Sequence, residues 1–489
     1  RRESRRLGCV VVDGMRKRRP KVARKPLVLA FGLFAGSPVV MTSQSSPEER
    51  RLTSAAVRTK HGIIIDAGSS GSRVHVYTWR VGGGGARGSF DLVSDAIMKT
   101  SPGLSAFAAN ASEAGASLAP LLSFAKERVD DIGTTPIFLK ATAGLRMVGD
   151  KAKDAILRAA AADLSASGFL FRNEWASMLD GQDEGLYGWL SVNYLLDTLD
   201  PPTALQGETA REPVGVIDLG GGSVQMVVAS SKSSSSSGGS GSSGGSGSRA
   251  GSSSNSGSDG SSSSSSSSVV GRLLAFAGRT YSVDVRSHLG FGLDAARNAA
   301  LHAVLSEQRV ENKPLPHPCL PKGTLMAHVQ GELVGEGDWS RCLQLQHRLF
   351  ATGSFGGVDQ PSLRTLFVGF SFMYDRTAAI GLLDGSPVLL GSQSVTRGSI
   401  EKAGTALCAL DEASLVQRFA SHEDAHKVHN FCGDVAYISA LLAAFGFEDT
   451  TELTVANQIQ DVEIVWTLGA MLAWSVELAG GSNEDASCT

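Results

Sequence analysis

Residues 61–79 read HGIIIDAGSSGSRVHVYTW, and this stretch sets the fold that the rest of the chain is predicted to build. The apolar run Ile63–Ile65 predicts a buried β-strand that ends at Asp66. Gly68–Arg73 is a turn of small residues, and the alternation that resumes at Val74 predicts a hairpin. Uncrowded backbone N–H groups and hydroxyls in such a turn suit a phosphate, and a carboxylate at the strand end suits a cation.

The same design returns at residues 214–228, VGVIDLGGGSVQMVV. An apolar strand leads to Asp218, then to the turn Gly220–Gly222 and Ser223, and then to another apolar strand. This internal repeat predicts two similar lobes whose turns face each other across a cleft, with both aspartates at one metal–phosphate centre. The alternative is two ordinary glycine-rich hairpins.

Length and charge are compatible with a two-lobed protein that does not bind nucleic acid. A chain of 489 residues exceeds the size that one core usually fills. Residues 1–25 carry eleven basic and two acidic residues, so a chain of net charge −3 has a remainder near −12. A body with this negative charge would repel the phosphates of nucleic acid, so nucleic-acid binding is disfavoured. Nucleotides stay possible, because a bound divalent cation can offset phosphate charge.

Residues 1–60 differ from the rest of the chain. A basic segment precedes the apolar run Leu27–Phe34 and a stretch of small residues, which is typical of a signal peptide or a single signal-anchor followed by a tether. A disordered basic tail is the alternative. Residues 230–268 are almost wholly Ser and Gly and predict a disordered loop inside the second lobe.

The chain has six cysteines and no CxxC pair, so a zinc site is not expected. Four of them fall in two close-spaced groups, Cys319 with Cys342 and Cys408 with Cys432. Two local disulfides would fit an oxidising compartment, and reduced buried thiols are the alternative.

Apolar patterns predict several further elements. Helices are expected over Ala116–Val129, Lys151–Ser165 and Phe431–Phe447, and a strand over Asp91–Lys99. Ile464–Leu478 is apolar but shorter than a membrane span, so a buried helix is expected there.

Two segments add candidate chemistry to the paired turns. Pro136–Val148 is a strand followed by Thr142 and Arg146, and Arg146 could clamp a phosphate or be a surface arginine. Glu184 lies at the start of a strongly apolar helical pattern, where a carboxylate is favoured by free N–H groups. A plain helix cap is the alternative, but the position of Glu184 between the two turns makes it a candidate base.

Ordered segments of the chain resemble the apyrase family, the nucleoside triphosphate diphosphohydrolases. The matching segments are DAGSSGSR at 66–73, KATAGLR at 140–146, GQDEGLYGW at 181–189 and DLGGGSVQM at 218–226, with weaker matches FSFMYDR at 370–376 and WTLGA at 466–470. The similarity runs from about residue 61 to 480 apart from the Ser/Gly run, and is closer to plant-type and organelle-type members than to doubly anchored ones.

The resemblance implies an α/β, actin-like two-lobed fold with two RNase-H-like domains and the active site in the cleft between them. Lobe I would comprise residues 61–181 plus 455–489, and lobe II residues 182–454. It also implies hydrolysis of nucleoside tri- or diphosphates in the secretory pathway, either in the Golgi lumen, membrane-anchored or extracellular. The family often has a cysteine where this chain has Gly353, which leaves the disulfides Cys319–Cys342 and Cys408–Cys432 as hypotheses.

Roles for single residues also follow from the resemblance. Asp66 and Asp218 would hold Ca²⁺ or Mg²⁺ through water, and Glu184 would be the base. Ser223 and Gln225 would orient the attacking water, Thr142 would sit near metal and water, and Tyr374 would stack on the nucleobase. The terminal phosphate would be bound by Ser69, Ser70, Gly71, Ser72, Arg73, Arg146, Gly220, Gly221 and Gly222.

Two other functions stay open on the sequence. One is an exopolyphosphatase or guanosine-pentaphosphate phosphohydrolase of the same fold. The other is a non-catalytic nucleotide-binding module, against which an intact Glu184 and Ser223 argue.

Overall fold

A computed structural model gives the architecture of the chain. It describes residues 9–10, 58–81, 90–199, 212–229, 270–276, 279–306, 313–329, 331–351, 355, 365–383, 393–422 and 424–480. The predicted signal peptide or anchor and the Ser/Gly run at 230–268 lie outside the described residues.

The first sheet is built around the hairpin predicted from residues 61–79. Its strands are β1 (Cys9–Val10), β2 (Arg58–Ala67), β3 (Ser72–Val81), β4 (Asp91–Thr100), β5 (Ile137–Ala141) and β6 (Ala176–Met178). They lie in the order β1-β4-β3-β2-β5-β6. The predicted hairpin is confirmed, since β2 and β3 pair antiparallel with Asp66 opposite Arg73. On its other side β2 pairs in parallel with β5.

The second sheet repeats this plan. The remaining strands are β7 (Gly215–Leu219), β8 (Ser223–Ala229), β9 (Val270–Phe276), β10 (Arg279–Leu289), β11 (Leu315–His317), β12 (Leu325–His328), β13 (Gly331–Gly335), β14 (Phe367–Ser371), β15 (Ser394–Thr396), β16 (Glu452–Val455), β17 (Gln458–Ile459) and β18 (Val462–Glu463). Seven of them form a sheet in the order β15-β16-β14-β7-β8-β10-β9. The hairpin β7–β8 continues antiparallel into β10, and β14 runs parallel to β7. The repeat read in the sequence is therefore a repeat of strand topology.

Most predicted helices are present. The helices are α1 (Ser112–Ala116), α2 (Ala119–Lys126), α3 (Ala143–Arg146), α4 (Asp150–Ala166), α5 (Gly181–Leu195), α6 (Leu293–Leu305), α7 (Trp339–Leu349), α8 (Phe372–Ala379), α9 (Arg397–Cys408), α10 (Glu412–Arg418), α11 (Phe431–Ala444) and α12 (Trp466–Gly480). The helix expected over 116–129 is confirmed with narrower bounds, as α2 over Ala119–Lys126. Helix α1 ends at Ala116, where the predicted span begins. Pro120 lies in the first turn of α2, where its missing N–H costs no intrahelical bond.

Helices α5 and α12 link the two sheets through a shared core. One hydrophobic cluster contains Ile64 of β2, Trp189 of α5, Val216 of β7 and Met471 of α12. Gly469 lets the two helices approach closely, because a Cβ there would collide with the backbone of Tyr187. In the part of the chain that the structure describes, no helix has the length and hydropathy to cross a bilayer. The lobe boundaries given above stay a prediction.

Both hypothesised disulfides are present, and both lie in the second half of the chain. Cys319 bonds Cys342 with a Cα separation of 4.9 Å, and Cys408 bonds Cys432 with a Cα separation of 5.0 Å. These separations are ordinary for disulfides. The alternative of reduced buried thiols is therefore not what the structure has.

Candidate active site

The first turn follows β2 and is supported by the neighbouring parallel strand. Because β5 runs beside β2, Thr142 follows β5 next to the turn, and its N–H donates to the Ala67 carbonyl at 3.2 Å. Ser69 and Gly71 are partly buried and Ser70 is exposed. Ser72 is buried at the start of β3, and its hydroxyl has no partner among the described residues. The turn therefore presents Ser69 to Gly71 more openly than Ser72.

The second turn follows β7, and its carbonyl groups are held by backbone donors. Gly220 accepts from the N–H of Leu293, and Gly221 accepts from the N–H of Asp294, both at 2.9 Å. Gly222 accepts from the N–H of Gly290 at 2.8 Å. These bonds tie the turn to the start of α6 and fix its path.

The two turns meet face to face, as the repeat predicts. A Cβ placed on Gly221 would lie 2.5 Å from the hydroxyl oxygen of Ser69, across the space between the lobes. It would also lie 2.6 Å from a carboxylate oxygen of Asp294. Only a residue without a side chain leaves room there, which gives Gly221 a steric reason beyond turn formation.

Glu184 stands in the first turn of α5, whose start is capped by Asp180. The Asp180 side chain accepts from the N–H of Gln182 at 2.8 Å, so the capping role belongs to Asp180 and not to Glu184. The Glu184 carboxylate is buried and accepts a short hydrogen bond from the guanidinium of Arg146. The plain reading of Glu184 as a helix cap is therefore wrong. A buried carboxylate held by one arginine is what the structure has instead.

Three carboxylates, those of Glu184, Asp218 and Asp66, are close enough for their charges to affect one another's pKa. Burial raises the pKa of Glu184 to about 8; Arg146 opposes this, and the charges of Asp218 and Asp66 add to it. Burial likewise raises the pKa of Asp218 to about 6, against a hydrogen bond from Ser371, and raises the pKa of Asp66. Perturbed carboxyl groups that face one another are typical of functional sites.

Arg73 adds a positive charge to the site, and Asp66 has an oxygen without a hydrogen-bond partner among the described residues. The positive charge of Arg73 lowers the pKa of both Asp66 and Asp218, so it acts on the two lobes at once. The Oδ1 atom of Asp66 is buried and has no hydrogen-bond partner among the described residues. Among the residues that the structure describes, no group of three or more His, Cys, Asp and Glu side chains is placed to hold a metal ion.

Ser223 and Gln225 bond each other, and Tyr374 lies on another element, α8. The Gln225 amide donates to the hydroxyls of Ser223 at 2.9 Å and of Ser287 at 3.2 Å, and both Ser223 and Gln225 are buried. Tyr374 is in the first turn of α8 and packs against the core of the second lobe. The structure thus brings the proposed water-orienting pair together.

Three residues near the site were missed by the sequence argument. Ser371 donates to Asp218, the Trp466 side chain donates to Asp66, and Ser287 bonds Gln225. Ser371 and Trp466 lie in the quoted segments FSFMYDR and WTLGA, but no role was given to them. The usable signal was the position of Ser371, since it is the last residue of β14, and Asp66 and Asp218 are the next-to-last residues of β2 and β7.

Comparison with known proteins settles the family. The model of the GDA1/CD39 (nucleoside phosphatase) family matches residues 53–480. The chain belongs to the GDA1/CD39 (nucleoside phosphatase) family. The resemblance to apyrases is therefore confirmed, and the activity of this nucleoside phosphatase is hydrolysis of nucleoside phosphates.

Relatives and one solved structure agree with this placement. The chain is 28% identical to "Probable apyrase 6" of Arabidopsis thaliana, over 84% of this chain and 72% of that protein. It is 30% identical to "Probable guanosine-diphosphatase" of Aspergillus fumigatus, over 84% of each chain. Its fold is similar to that of nucleoside triphosphate hydrolases from Neospora caninum, with a TM-score of 0.58, 16% identity, and coverage of 88% of this chain and 95% of that one. The expected actin-like, two-lobed α/β fold is confirmed.

Proposed function

We propose that this nucleoside phosphatase removes the terminal phosphate of nucleoside tri- and diphosphates, using Glu184 as the base. One observation carries the proposal. A buried carboxylate with a strongly raised pKa lies within the electrostatic influence of two aspartates, each of which is the next-to-last residue of the matching strand in its lobe. General bases are commonly tuned upward by burial in this way.

A divalent cation fits the pair Asp66 and Asp218. Their carboxylates are partly or fully buried and repel each other, and the Oδ1 atom of Asp66 lacks a partner among the described residues. Oxygen ligands and clustered negative charge suit Ca²⁺ or Mg²⁺. We propose that the two aspartates hold the cation through water molecules. When bound, the cation would neutralise charge on the phosphate oxygens.

The chain's own residues account for the remaining steps. Phosphoryl transfer passes through a loose, in-line transition state, so positioning and charge do most of the work. The first turn (Ser69, Ser70, Gly71, Ser72 and Arg73) and the second turn (Gly220, Gly221 and Gly222) would grip the terminal phosphate from opposite sides. Glu184 would take a proton from the attacking water, which Ser223 and Gln225 would orient.

Arg146 and Thr142 support this arrangement. Arg146 bonds Glu184 directly, so the positive charge proposed for the phosphate also stabilises the ionised base. Thr142 is buried beside the first turn, which suits its proposed place near metal and water. We also propose that Tyr374 contacts the nucleobase, although it is half-buried against the second core.

Location in the secretory pathway is part of the proposal. Two disulfides favour an oxidising compartment. A single N-terminal anchor or a cleaved signal peptide within residues 1–60 would deliver the chain there. We do not propose a nucleic-acid partner, because the body is acidic.

The test is phosphate release from ATP, ADP, UDP, GDP and polyphosphate, each with and without a chelator. We expect release from nucleotides that stops on chelation. Glu184→Gln should abolish release and retain nucleotide binding. Near-normal turnover of Glu184→Gln would overturn the base assignment, and preferred release from polyphosphate would favour the exopolyphosphatase alternative.

A further inference from the structure

Ser371 has a backbone conformation that amino acids with side chains rarely adopt. Its φ is 57° and its ψ is −133°, at the junction of β14 and α8. Glycine is the residue that occupies such a conformation without strain. A serine kept there at an energetic cost indicates that its side chain does something that glycine could not do.

The hydroxyl of Ser371 serves the site and not its own helix. Ser371 is the N-cap residue of α8, where serine ordinarily accepts a bond from a first-turn N–H, but its side chain makes no capping bond. Instead the hydroxyl donates to Oδ1 of Asp218 at 2.8 Å. The parallel pairing of β14 with β7 sets this contact, since Ser371 lies opposite Leu219 and next to Asp218.

The two aspartates have different partners. Ser371 fixes Oδ1 of Asp218, whereas Asp66 accepts from the Trp466 side chain and its Oδ1 atom has no partner among the described residues. A carboxylate held by a charge-assisted hydrogen bond has lost most of its rotational freedom before any ligand arrives. Because the Asp218 carboxylate is already oriented, a ligand that binds it loses less free energy to ordering that side chain.

We propose that Ser371 is a positioning residue, which orients the Asp218 carboxylate so that its second oxygen serves the hydrated cation. The inference rests on the proposed function, in which Asp218 helps to hold that cation. The strained backbone places the hydroxyl, and the hydroxyl places the carboxylate. Substitutions of Ser371 can separate the effect of the backbone strain from the effect of the hydroxyl.

The experiment compares Ser371→Gly with Ser371→Ala in the full chain. Both lose the hydroxyl, but only glycine relieves the backbone. We therefore expect the melting temperature of Ser371→Gly to exceed that of Ser371→Ala, the reverse of the usual order in which alanine is favoured over glycine.

The second readout is the coupling between cation and nucleotide. Calorimetry gives the affinity of a non-hydrolysable ATP analogue with saturating CaCl₂ and with EDTA, and the ratio of the two affinities measures the coupling. Both variants should lower this ratio about tenfold, which corresponds to about 1.4 kcal/mol. Gln460→Gly is the matched control for relief of a positive φ, since its φ is 53° and its side chain bonds Leu195, at the far end of α5 from Glu184. It should leave the ratio unchanged.

The outcomes separate this inference from the proposed function. If Asp218→Asn lowers the ratio and Ser371→Gly does not, the positioning role is wrong and the cation site stands. If Asp218→Asn leaves the ratio unchanged, or if CaCl₂ has no effect on the wild type, both are wrong. An equal loss in Gln460→Gly, or a lower melting temperature for Ser371→Gly than for Ser371→Ala, would also overturn the inference.

Discussion

Replacing Arg146 by glutamine should move the pH dependence of the reaction to higher pH. Arg146 donates a short hydrogen bond to Glu184, and its charge opposes the rise in the pKa of that carboxyl. Proton abstraction needs the carboxylate form, so activity should increase as the pH rises through the pKa of Glu184. Without the arginine the carboxylate is less stable, and the acid limb should therefore appear at higher pH.

The size of the effect follows from the burial of the pair. The Arg146 and Glu184 side chains are only 17% and 11% exposed, so solvent screens their attraction weakly. Opposite charges about 4 Å apart interact by about 4 kcal/mol at an effective dielectric of about 20, which would be worth about three pKa units at most. Water entering the space left by the guanidinium would reduce this, and we expect the pKa to rise by about one to two.

The assay is kcat/KM for phosphate release between about pH 5.5 and about pH 10.5, at saturating divalent cation for every variant, with the alkaline plateau taken from a fit to the whole profile. A carboxyl with a pKa near 8 is about one-tenth ionised at pH 7. The ratio of kcat/KM at pH 7 to its alkaline plateau should therefore fall a further ten- to a hundredfold in Arg146→Gln. If Arg146 only contacted the phosphate, its loss would lower kcat/KM on the alkaline plateau and leave the pH of the acid limb unchanged.

Two variants make the comparison specific. Arg146→Lys keeps the charge and should move the limb less. Arg272→Gln removes a cation that pairs at 3.3 Å with Asp183, the neighbour of Glu184, but that is not among the charges acting on Glu184. It should not move the limb. An acid limb that stays at the wild-type pH in Arg146→Gln would refute the assignment of Glu184 as the titrating base.

Three further predictions concern stability and the turns. The pKa of Glu184 is raised to about 8 in the folded state, so the stability linked to its protonation is lost as the pH rises towards 8. In EDTA, Glu184→Gln should therefore be more stable than the wild type at about pH 8, by on the order of a few kcal/mol, and the advantage should vanish near pH 5 by thermal melting. Gly221→Ala should lower kcat/KM at least tenfold, since its Cβ would collide with Ser69 of the first turn. The control Gly271→Ala has open space around the new Cβ and should leave kcat/KM almost unchanged. Equal kcat/KM values for the two variants would contradict the close approach of the two turns. Replacing both Cys408 and Cys432 by serine removes a disulfide that joins residues 24 positions apart in the sequence. The free energy of unfolding, measured with denaturant, should fall by about 3 kcal/mol. An unchanged free energy of unfolding would show that the disulfide does not form in solution.

The repeat was readable because each copy is local. Each hairpin, its aspartate and its turn lie within about 15 consecutive residues, so alternation and glycine content alone predict them. The pairing of α5 with α12 was not readable, since it joins residues far apart in the chain and depends on the missing side chain of Gly469. The bounds of α2 were expected three residues too wide at each end, although Pro120 was a visible signal for the start of the helix.

Side-chain partners across the lobes were the least predictable part of the site. A cation at Asp66 and Asp218 and a base at Glu184 could be proposed from the residues and agreed with the resemblance, but residue types and spacing give no distance between them. The bond from Ser371 to Asp218 spans 153 positions and arises only when β14 is placed beside β7. Sequence order places these strands well apart, so the sheet has to form before the contact can be inferred.

The structure also indicates why duplicated hairpins are not sufficient for hydrolysis. Two equivalent turns offer two equivalent carboxylates, but attack by water has a direction and needs one base on one side of the phosphate. The proposed base, Glu184, lies outside the repeated hairpins, on the helix that follows the first sheet, where burial raises its pKa and Arg146 limits the rise. Ser371 adds a second difference, since Asp218 accepts from a serine hydroxyl and Asp66 accepts from the Trp466 side chain. Chemistry at this site therefore depends on the residues by which the two halves differ, and substitutions there should alter turnover more than they alter the fold.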